Sequence, residues 1–386
     1  MFQPDDRFFW EPSFHEYLNG CLFFRGMANQ LRLLDERLRR VEARNRAIED
    51  ASHQQVTDPT ANEEWWHFLV HFFGSEEALF ERLRVNREVF DDALAFVAEV
   101  VPSVRGRRGW IHSNREKLLF LLVFMSQGVE VLEVLVSQRI KTREHVTETV
   151  KAVAKLFYDN IMRGAVRFYN DIDEEAPDVA LIVDCTVCRI RRPKRPFDEA
   201  KTFFSGKHFI YALKKEVCVN LRSGTAALIS KSYPGSVHDI TILRDHAAEL
   251  NRLLDGRGLL ADLGYRGARR DVPTIIVCDQ TVPRLRAKRV LVECFFGRLK
   301  VLWSIFSTTW RLGEDCFDLF FNIACAFTNL DILHRPLRES DYAFNEGILR
   351  SILLEHEDKE RRQRRANIQY RERRRARLDF PNPEEL

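Results

Sequence analysis

Apolar positions along this chain follow a helical rhythm up to about residue 165 and a strand rhythm after about residue 178. In the first part, residues 20 to 50 read as one charged amphipathic helix, and residues 51 to 62, with Asp58-Pro59-Thr60, as a linker. Trp65, Trp66, Phe68, Phe72 and Phe73 form an aromatic cluster suited to a core or a partner surface. Helices are predicted over Glu76–Arg84 and Glu88–Val101, and the Pro102–Gly109 segment breaks them from the next group. Three more follow: Glu116–Gln127, stopped by Gly128; a short Val129–Ser137; and a third from Thr142 to about Tyr158. On that last helix Val146, Val150, Val153 and Phe157 face the core, while Arg143, Glu144 and Thr147 occupy the outer early turns. A short helix, a turn at Gln138–Lys141 and a longer helix have helix-turn-helix proportions. Helix pairs are common in all-α regions, so this spacing alone leaves DNA recognition open.

The second part alternates strands with helices. Val179–Arg189, His208–Asn220 and Thr225–Ser232 read as hairpin-connected strands, followed by a helix from about Val237 to Leu254. A strand ending at Asp262, a fifth at Thr274–Cys278 and a helix through residues 289 to 300 complete the pattern. Two acids interrupt these apolar runs, Asp184 inside the first strand and Asp262 at the end of a later one. A carboxylate in a strand buried on both faces costs several kcal/mol unless it is paired or coordinates a metal. On the helix, Arg289, Glu293 and Lys300 share one stripe, and Val290, Leu291, Phe295, Phe296 and Leu299 suggest a largely buried remainder. Such a stripe is either an ion-pair ladder or a metal-binding acid beside phosphate-binding cations. Ser236-Val237-His238-Asp239 has the form of a helix-capping box, and the same acid could instead support a metal site.

Four blocks now carry a resemblance: Asp184-Cys185-Thr186; Gly235-Ser236-Val237-His238-Asp239; Ala261-Asp262-Leu263-Gly264-Tyr265-Arg266-Gly267; and Arg289 through Lys300. Together they resemble the catalytic domain of PIF/Harbinger-type DDE transposases over residues 178 to 335, including Phe327-Thr328-Asn329-Leu330. The resemblance implies an RNase H-like, retroviral-integrase-type α/β domain, preceded by an all-α helix-turn-helix-like domain. It implies an Asp184, Asp262 and Glu293 triad holding two Mg²⁺ or Mn²⁺ ions, with His238 and Asp239 in support. Arg289 and Lys300 match the cations of a Tyr, Arg, Glu, Lys signature in bacterial relatives, while Arg286 stands where the tyrosine would be. Arg286, Arg289, Arg298 and Lys300 are expected at phosphates, and Arg143 and Thr147 at a DNA groove. Two metals clamping both oxygens of an in-line displacement suffice for phosphodiester chemistry, and no Ser/His/Asp or Cys/His arrangement stands out. A metal-dependent endonuclease or transposase acting on double-stranded DNA, at element ends and target, is the expected function. A domesticated DNA-binding descendant without transposition activity is the alternative. A Myb-like DNA-binding partner and a homo-oligomer are further implications.

Composition fits that frame. With 386 residues, 45% of them hydrophobic, the chain buries sizeable cores. No apolar run approaches the roughly 18 residues of a membrane span, and the Met-Phe-Gln-Pro-Asp-Asp start does not read as a signal peptide. Cys185 and Cys188 form a C-x-x-C without a second pair, so zinc is not expected, and Cys278, Cys294 and Cys325 read as core residues of a reducing compartment. A net charge of only +3 hides segregation. Residues 1–100 carry 11 Lys/Arg against 19 Asp/Glu, residues 186–216 nine against three, residues 284–300 six against one, and residues 359–377 ten against two. Basic segments around an acidic site suit a phosphate backbone. The basic tail reads as a helix or a disordered arm and is the reason for expecting the nucleus. The expected organisation is therefore an acidic, aromatic-rich helical extension (1–75), a helix-turn-helix-like region (76–165), a catalytic domain (178–335) and a C-terminal helix with basic tail (336–386).

Overall fold

The computed structural model describes residues 63–97 (apart from 64, 65, 68 and 72), 114–128, 143–169, 172–278, 283–338 and 341–378, all within one compact unit, Val56–Leu386. The predicted helix and linker over 20–62, the short Val129–Ser137 helix and the turn after it lie outside the described residues, as do Trp65, Phe68 and Phe72. Trp66 is buried, its ring 5.6 Å from that of Phe90.

Four helices precede the sheet: α1 (Glu76–Leu83), α2 (Arg87–Val97), α3 (Asn114–Gln127) and α4 (Arg143–Ala165). Ser75 opens α1 by accepting the Ala78 amide, and Arg84 closes it in the left-handed conformation at φ 62°. Gly128, at φ 86°, ends α3 where its sequence position predicts. Val150, Val153 and Phe157 of α4 are buried, in keeping with their spacing, and α4 runs a further two turns past Tyr158.

The sheet comprises β1 (Val179–Arg189), β2 (Phe204–Ser205, after the short helix α5, Phe197–Lys201), β3 (Ile210–Asn220), β4 (Ala226–Ile229), β5 (Tyr233–Pro234), β6 (Gly258–Ala261) and β7 (Ile275–Val277). Its order is β2-β3-β1-β6-β7, with β4 and β5 also paired to β3. β3 runs antiparallel to β1, and β6 and β7 run parallel to it. Helices α6 (Asp239–Asp245) and α7 (Ala247–Leu254) separate β5 from β6, so the predicted single helix is broken at His246. After β7 come α8 (Pro283–Leu302), α9 (Ser304–Ser307), α10 (Phe317–His334) and α11 (Tyr342–Leu378). The basic tail is thus helical: α11 is one 37-residue helix, anchored by buried Asn345, Ile348 and Ile352.

Alternating side chains divide the core between the two sheet faces. Val183, Cys218, Leu259 and Ala261 pack with Leu243, Leu250 and Leu254 of α6 and α7. Ile182, Val217, Val219 and Leu260 pack on the other face with α8, α10 and the N-terminal helices. Buried Asn329 of α10 ties that second layer together. Its amide nitrogen donates to the Ala165 carbonyl at 2.7 Å and the Ala226 carbonyl at 2.8 Å, and its oxygen accepts the Ala226 amide at 2.7 Å.

Candidate active site

Asp184 and Asp262 stand at matching heights on neighbouring parallel strands. Ile182 of β1 pairs with Leu260 of β6, and each acid lies two residues beyond that rung. Asp184 remains inside β1, opposite Val217, and its Oδ1 accepts the Cys185 amide at 2.8 Å. Asp262 follows the last residue of β6 and caps the turn Leu263–Tyr265, accepting the Gly264 amide at 2.8 Å. Gly264 lies against both Asp262 and Asp239. A Cβ on it would stand 2.9 Å from Asp262 Oδ1 and 3.1 Å from Asp239 Oδ2.

Asp239 is therefore the third acid at this sheet end. It begins α6, whose N-cap is His238, and that helix has no side-chain cap bond. The capping-box reading of Ser236 and Asp239 is overturned by this geometry. The Asp239 carboxylate instead faces the site and pairs with Lys214 Nζ at 3.0 Å, while the same ammonium donates to the Val237 carbonyl at 2.7 Å.

Helix α8 brings Glu293 to the other side of Asp184. Arg289 lies between them, its Nη2 2.5 Å from Glu293 Oε1 and its Nη1 3.6 Å from Asp184 Oδ2. Glu293 is 51% exposed, open to a substrate, whereas Asp184 is only 19% exposed. Burial, reinforced by the charges of Asp262 and Asp239, raises the Asp184 carboxyl to about 6, against the opposing pull of the Cys185 amide and Arg289. The cluster is short of positive charge.

The other expected phosphate contacts are placed differently from one another. Arg286 is exposed on the first turns of α8. Lys300 donates to the Val187 carbonyl at 3.3 Å, an uncharged partner that leaves its cation unneutralised beside β1. Arg298 is turned inward, bonded to Asp331 Oδ2 at 2.6 Å and to the Arg335 carbonyl at 3.1 Å, so an internal acid takes the place expected of a phosphate. Arg143 and Thr147 sit on the first turns of α4, and their side chains lie outside the described residues. Helix α8 is also less buried than its composition suggests, with Val290 and Val301 exposed. Cys294, expected in the core, is exposed as well, beside Glu293 on the outer face.

On the opposite face of the sheet lies a group the sequence reading missed. Glu216 pairs with Cys185 across β1 and β3 and is fully buried. Its Oε2 accepts the Tyr265 hydroxyl at 2.9 Å, and its Oε1 lies 2.8 Å from His246 Nε2. The Cys185 thiol is 3.4 Å from the same hydroxyl. Burial raises the Glu216 carboxyl, opposed by His246 and Tyr265, and raises the Tyr265 hydroxyl well above its usual range. A signal was available: Lys214-Lys215-Glu216 puts three charges inside an otherwise apolar strand. By the reasoning that singled out Asp184, those charges demand partners.

Among the described residues, Glu216, Cys218 and His246 have ligand atoms within 4.8 Å of one another. Their chemistry does not match a hard divalent ion. The thiol is buried and held well above its usual range, and the carboxylate already serves Tyr265 and His246. Asp184, Asp262, Asp239 and Glu293 present oxygen donors only, the set that Mg²⁺ or Mn²⁺ prefers.

Comparison with known proteins places a family match over this part of the chain. Residues 183–329 match the family model of the DDE superfamily endonucleases, a span that opens one residue before Asp184 and includes Asp239, Asp262 and Glu293. The match supports a transposase-like nuclease and implies an RNase H-like α/β fold. The observed order, antiparallel β4, β3 and β1 followed by parallel β6 and β7, fits that implication. Searches of the curated proteins and of the solved structures returned no match. No described helix is long and apolar enough to cross a membrane.

Proposed function

We propose that this chain is a metal-dependent DNA endonuclease of the PIF/Harbinger transposase type, acting in the nucleus. The observation that carries this reading is the convergence of Asp184 and Asp262, two residues past one parallel rung, with Asp239 and the Arg289-linked Glu293 beside them. Asp184, Asp262 and Glu293 would hold Mg²⁺ or Mn²⁺, two ions in the family pattern. When bound, they supply charge for the attacking and departing oxygens of an in-line displacement. The protein contributes the geometry. Strands β1 and β6 fix two carboxylates, Gly264 lets Asp239 approach, and Lys214 holds Asp239 in place. Glu293, exposed on α8, is the acid best placed to meet the substrate.

Double-stranded DNA, at element ends and target, is the substrate this reading requires. Lys300, Arg286 and the cations of α11 supply phosphate contacts, and the early turns of α4, with Arg143 and Thr147, are the candidate base-reading surface. A Myb-like DNA-binding partner and self-association belong to the same reading. The alternative, a domesticated DNA-binding protein that keeps the fold, predicts duplex binding without strand cleavage. The deciding experiment is a nicking assay on the purified full chain with Mg²⁺ or Mn²⁺, together with Asp184→Asn, Asp262→Asn and Glu293→Gln. Metal-dependent cleavage abolished by each substitution, with no double variant much worse than a single one, supports the nuclease. Binding without cleavage in the wild type supports the alternative, and cleavage near wild-type level in any single variant removes that residue from the triad.

A further inference from the structure

The β2–β3 hairpin ends in Gly206-Lys207-His208-Phe209, and its last residue breaks two rules at once. Phe209 is 80% exposed, and its backbone is left-handed at φ 55°. A bulky residue there is an outlier, because its Cβ crowds the backbone carbonyl. The flanking hairpin is well made. The Phe209 amide donates to the Ser205 carbonyl at 2.8 Å, and the Phe204 and Tyr211 rings below it pack edge to face at 5.4 Å. An aromatic side chain is thus held away from every core, on a rigid stem, at an energetic cost that glycine would avoid.

Its surroundings are cationic. Lys207 is adjacent, and Lys207, Lys214 and Lys300 act together with burial to hold the neighbouring His208 imidazole below its usual range. The hairpin tip leads into β3, and Lys214 of that strand reaches the acid cluster. Lys214 pairs with Asp239, and Lys300 bonds the Val187 carbonyl three residues past Asp184. An exposed ring two residues from Lys207, at the head of the strand whose Lys214 reaches the acid cluster, suits a nucleobase of DNA held there. Every base has a π-face, and stacking on an aromatic side chain needs no particular sequence. A base inside a paired duplex offers no such face, so the occupant is unpaired.

We propose that Phe209 is a stacking platform for an unpaired nucleobase of the DNA held at the acid cluster. This inference rests on the nuclease reading above and adds a binding site to it. It is tested by competition binding of the full chain, with Mg²⁺ present, to two DNAs of equal length. One is fully paired, and the other carries a short splayed, unpaired segment. A base stacked on an aromatic ring strengthens binding by roughly 5- to 150-fold, so the wild type is expected to prefer the splayed DNA within that range. Phe209→Ala is expected to remove the preference while leaving paired-duplex affinity unchanged, and Phe209→Tyr to retain it. Phe209→Gly separates this loss from misfolding: its melting temperature should equal or exceed that of the wild type while the preference disappears. No wild-type preference, or a preference that survives in Phe209→Ala, overturns the platform. If the wild type cleaves DNA but shows no preference, this inference alone fails. If it neither binds nor cleaves DNA, the nuclease reading fails first.

Discussion

The Tyr265 hydroxyl donates to Glu216 at 2.9 Å, and that bond links the loop following Asp262 to the strand lying against Asp184. Since Glu216 faces Cys185 in the ladder, one buried carboxylate braces both acid-bearing segments from behind. Tyr265→Phe leaves that carboxylate short of a donor, a loss of about 1–3 kcal/mol for a buried group. The expected result is a lower melting temperature and a higher metal concentration for half-maximal cleavage, with duplex affinity unchanged. Glu216→Gln, which keeps an acceptor for Tyr265, should be milder than Glu216→Ala. Titrating Mg²⁺ in cleavage assays of the three variants checks this ranking.

Asp184 makes the metal-free fold pH-dependent. Its carboxyl is raised from 3.8 to about 6, so between those values the folded chain keeps a proton that the unfolded chain has released. Its contribution to stability is therefore most favourable below about pH 4, falls as pH rises toward 6, and levels off above. Asp184→Asn cannot ionise. In chelator it should match the wild type near pH 4 and melt at a higher temperature at pH 7. Calorimetry across that range would sink the idea if the two curves stayed parallel.

A side chain at Gly264 should displace the acids. Gly264→Ala places a methyl group 2.9 Å from Asp262 Oδ1 and 3.1 Å from Asp239 Oδ2, so the two carboxylates must separate. Cleavage is expected to fall by at least tenfold, while the fold, whose buried Tyr265 and Ala268 the added methyl group does not meet, melts within a few degrees of wild type. Circular dichroism and a nicking assay on the same preparation separate the two effects.

Arg289 neutralises two of the acids from within. Arg289→Ala should therefore tighten divalent-ion binding in titration calorimetry, because a competing cation is gone. Without divalent ions, the salt dependence of DNA binding should not change in this variant. With them, losing the released guanidinium should lower the log–log slope by about 0.9, the value for one phosphate contact. Lys300→Ala should lower it under both conditions, since its partner in the chain is a neutral carbonyl.

The tail should behave as charge alone. Removing everything after Leu354 deletes the basic part of α11 and spares the buried anchors Asn345, Ile348 and Ile352. Affinity for all DNA sequences should drop alike, because phosphate contacts carry no sequence information. Discrimination between an element's terminal repeat and random DNA should persist. Its loss would assign sequence reading to the tail.

Much of this architecture is legible in the residues. β1 runs from Val179 to Arg189 as its apolar run predicts, and Gly128 stops its helix because a left-handed residue is needed there. Asp184 and Asp262 stood out because acids in apolar strands require compensation. What the sequence concealed are tertiary bargains. His246 interrupts the helix predicted over Val237–Leu254 in order to reach Glu216, a partner 30 residues earlier. Asp239 has the spacing of a capping residue, and only the nearness of Lys214 and Gly264 turns it toward the site. Arg298 and Arg289 look equivalent along α8, yet Asp331 on α10 claims the first, and Asp184 and Glu293 the second.

Asn329 has a consequence for where a cut falls. By binding the carbonyl at the end of α4 and both polar groups of Ala226 on β4, it fastens the N-terminal helices to the sheet that carries the acids. His334 and Asp92, 2.7 Å apart, add a second bolt between α10 and α2. Among the described residues, the C-terminal end of α4 is thereby tied to the sheet. DNA gripped by α4 would therefore lie at a constant offset from the acids, and the protein would act as a ruler. Its cuts would fall a fixed number of base pairs from the sequence it holds, whatever the intervening bases.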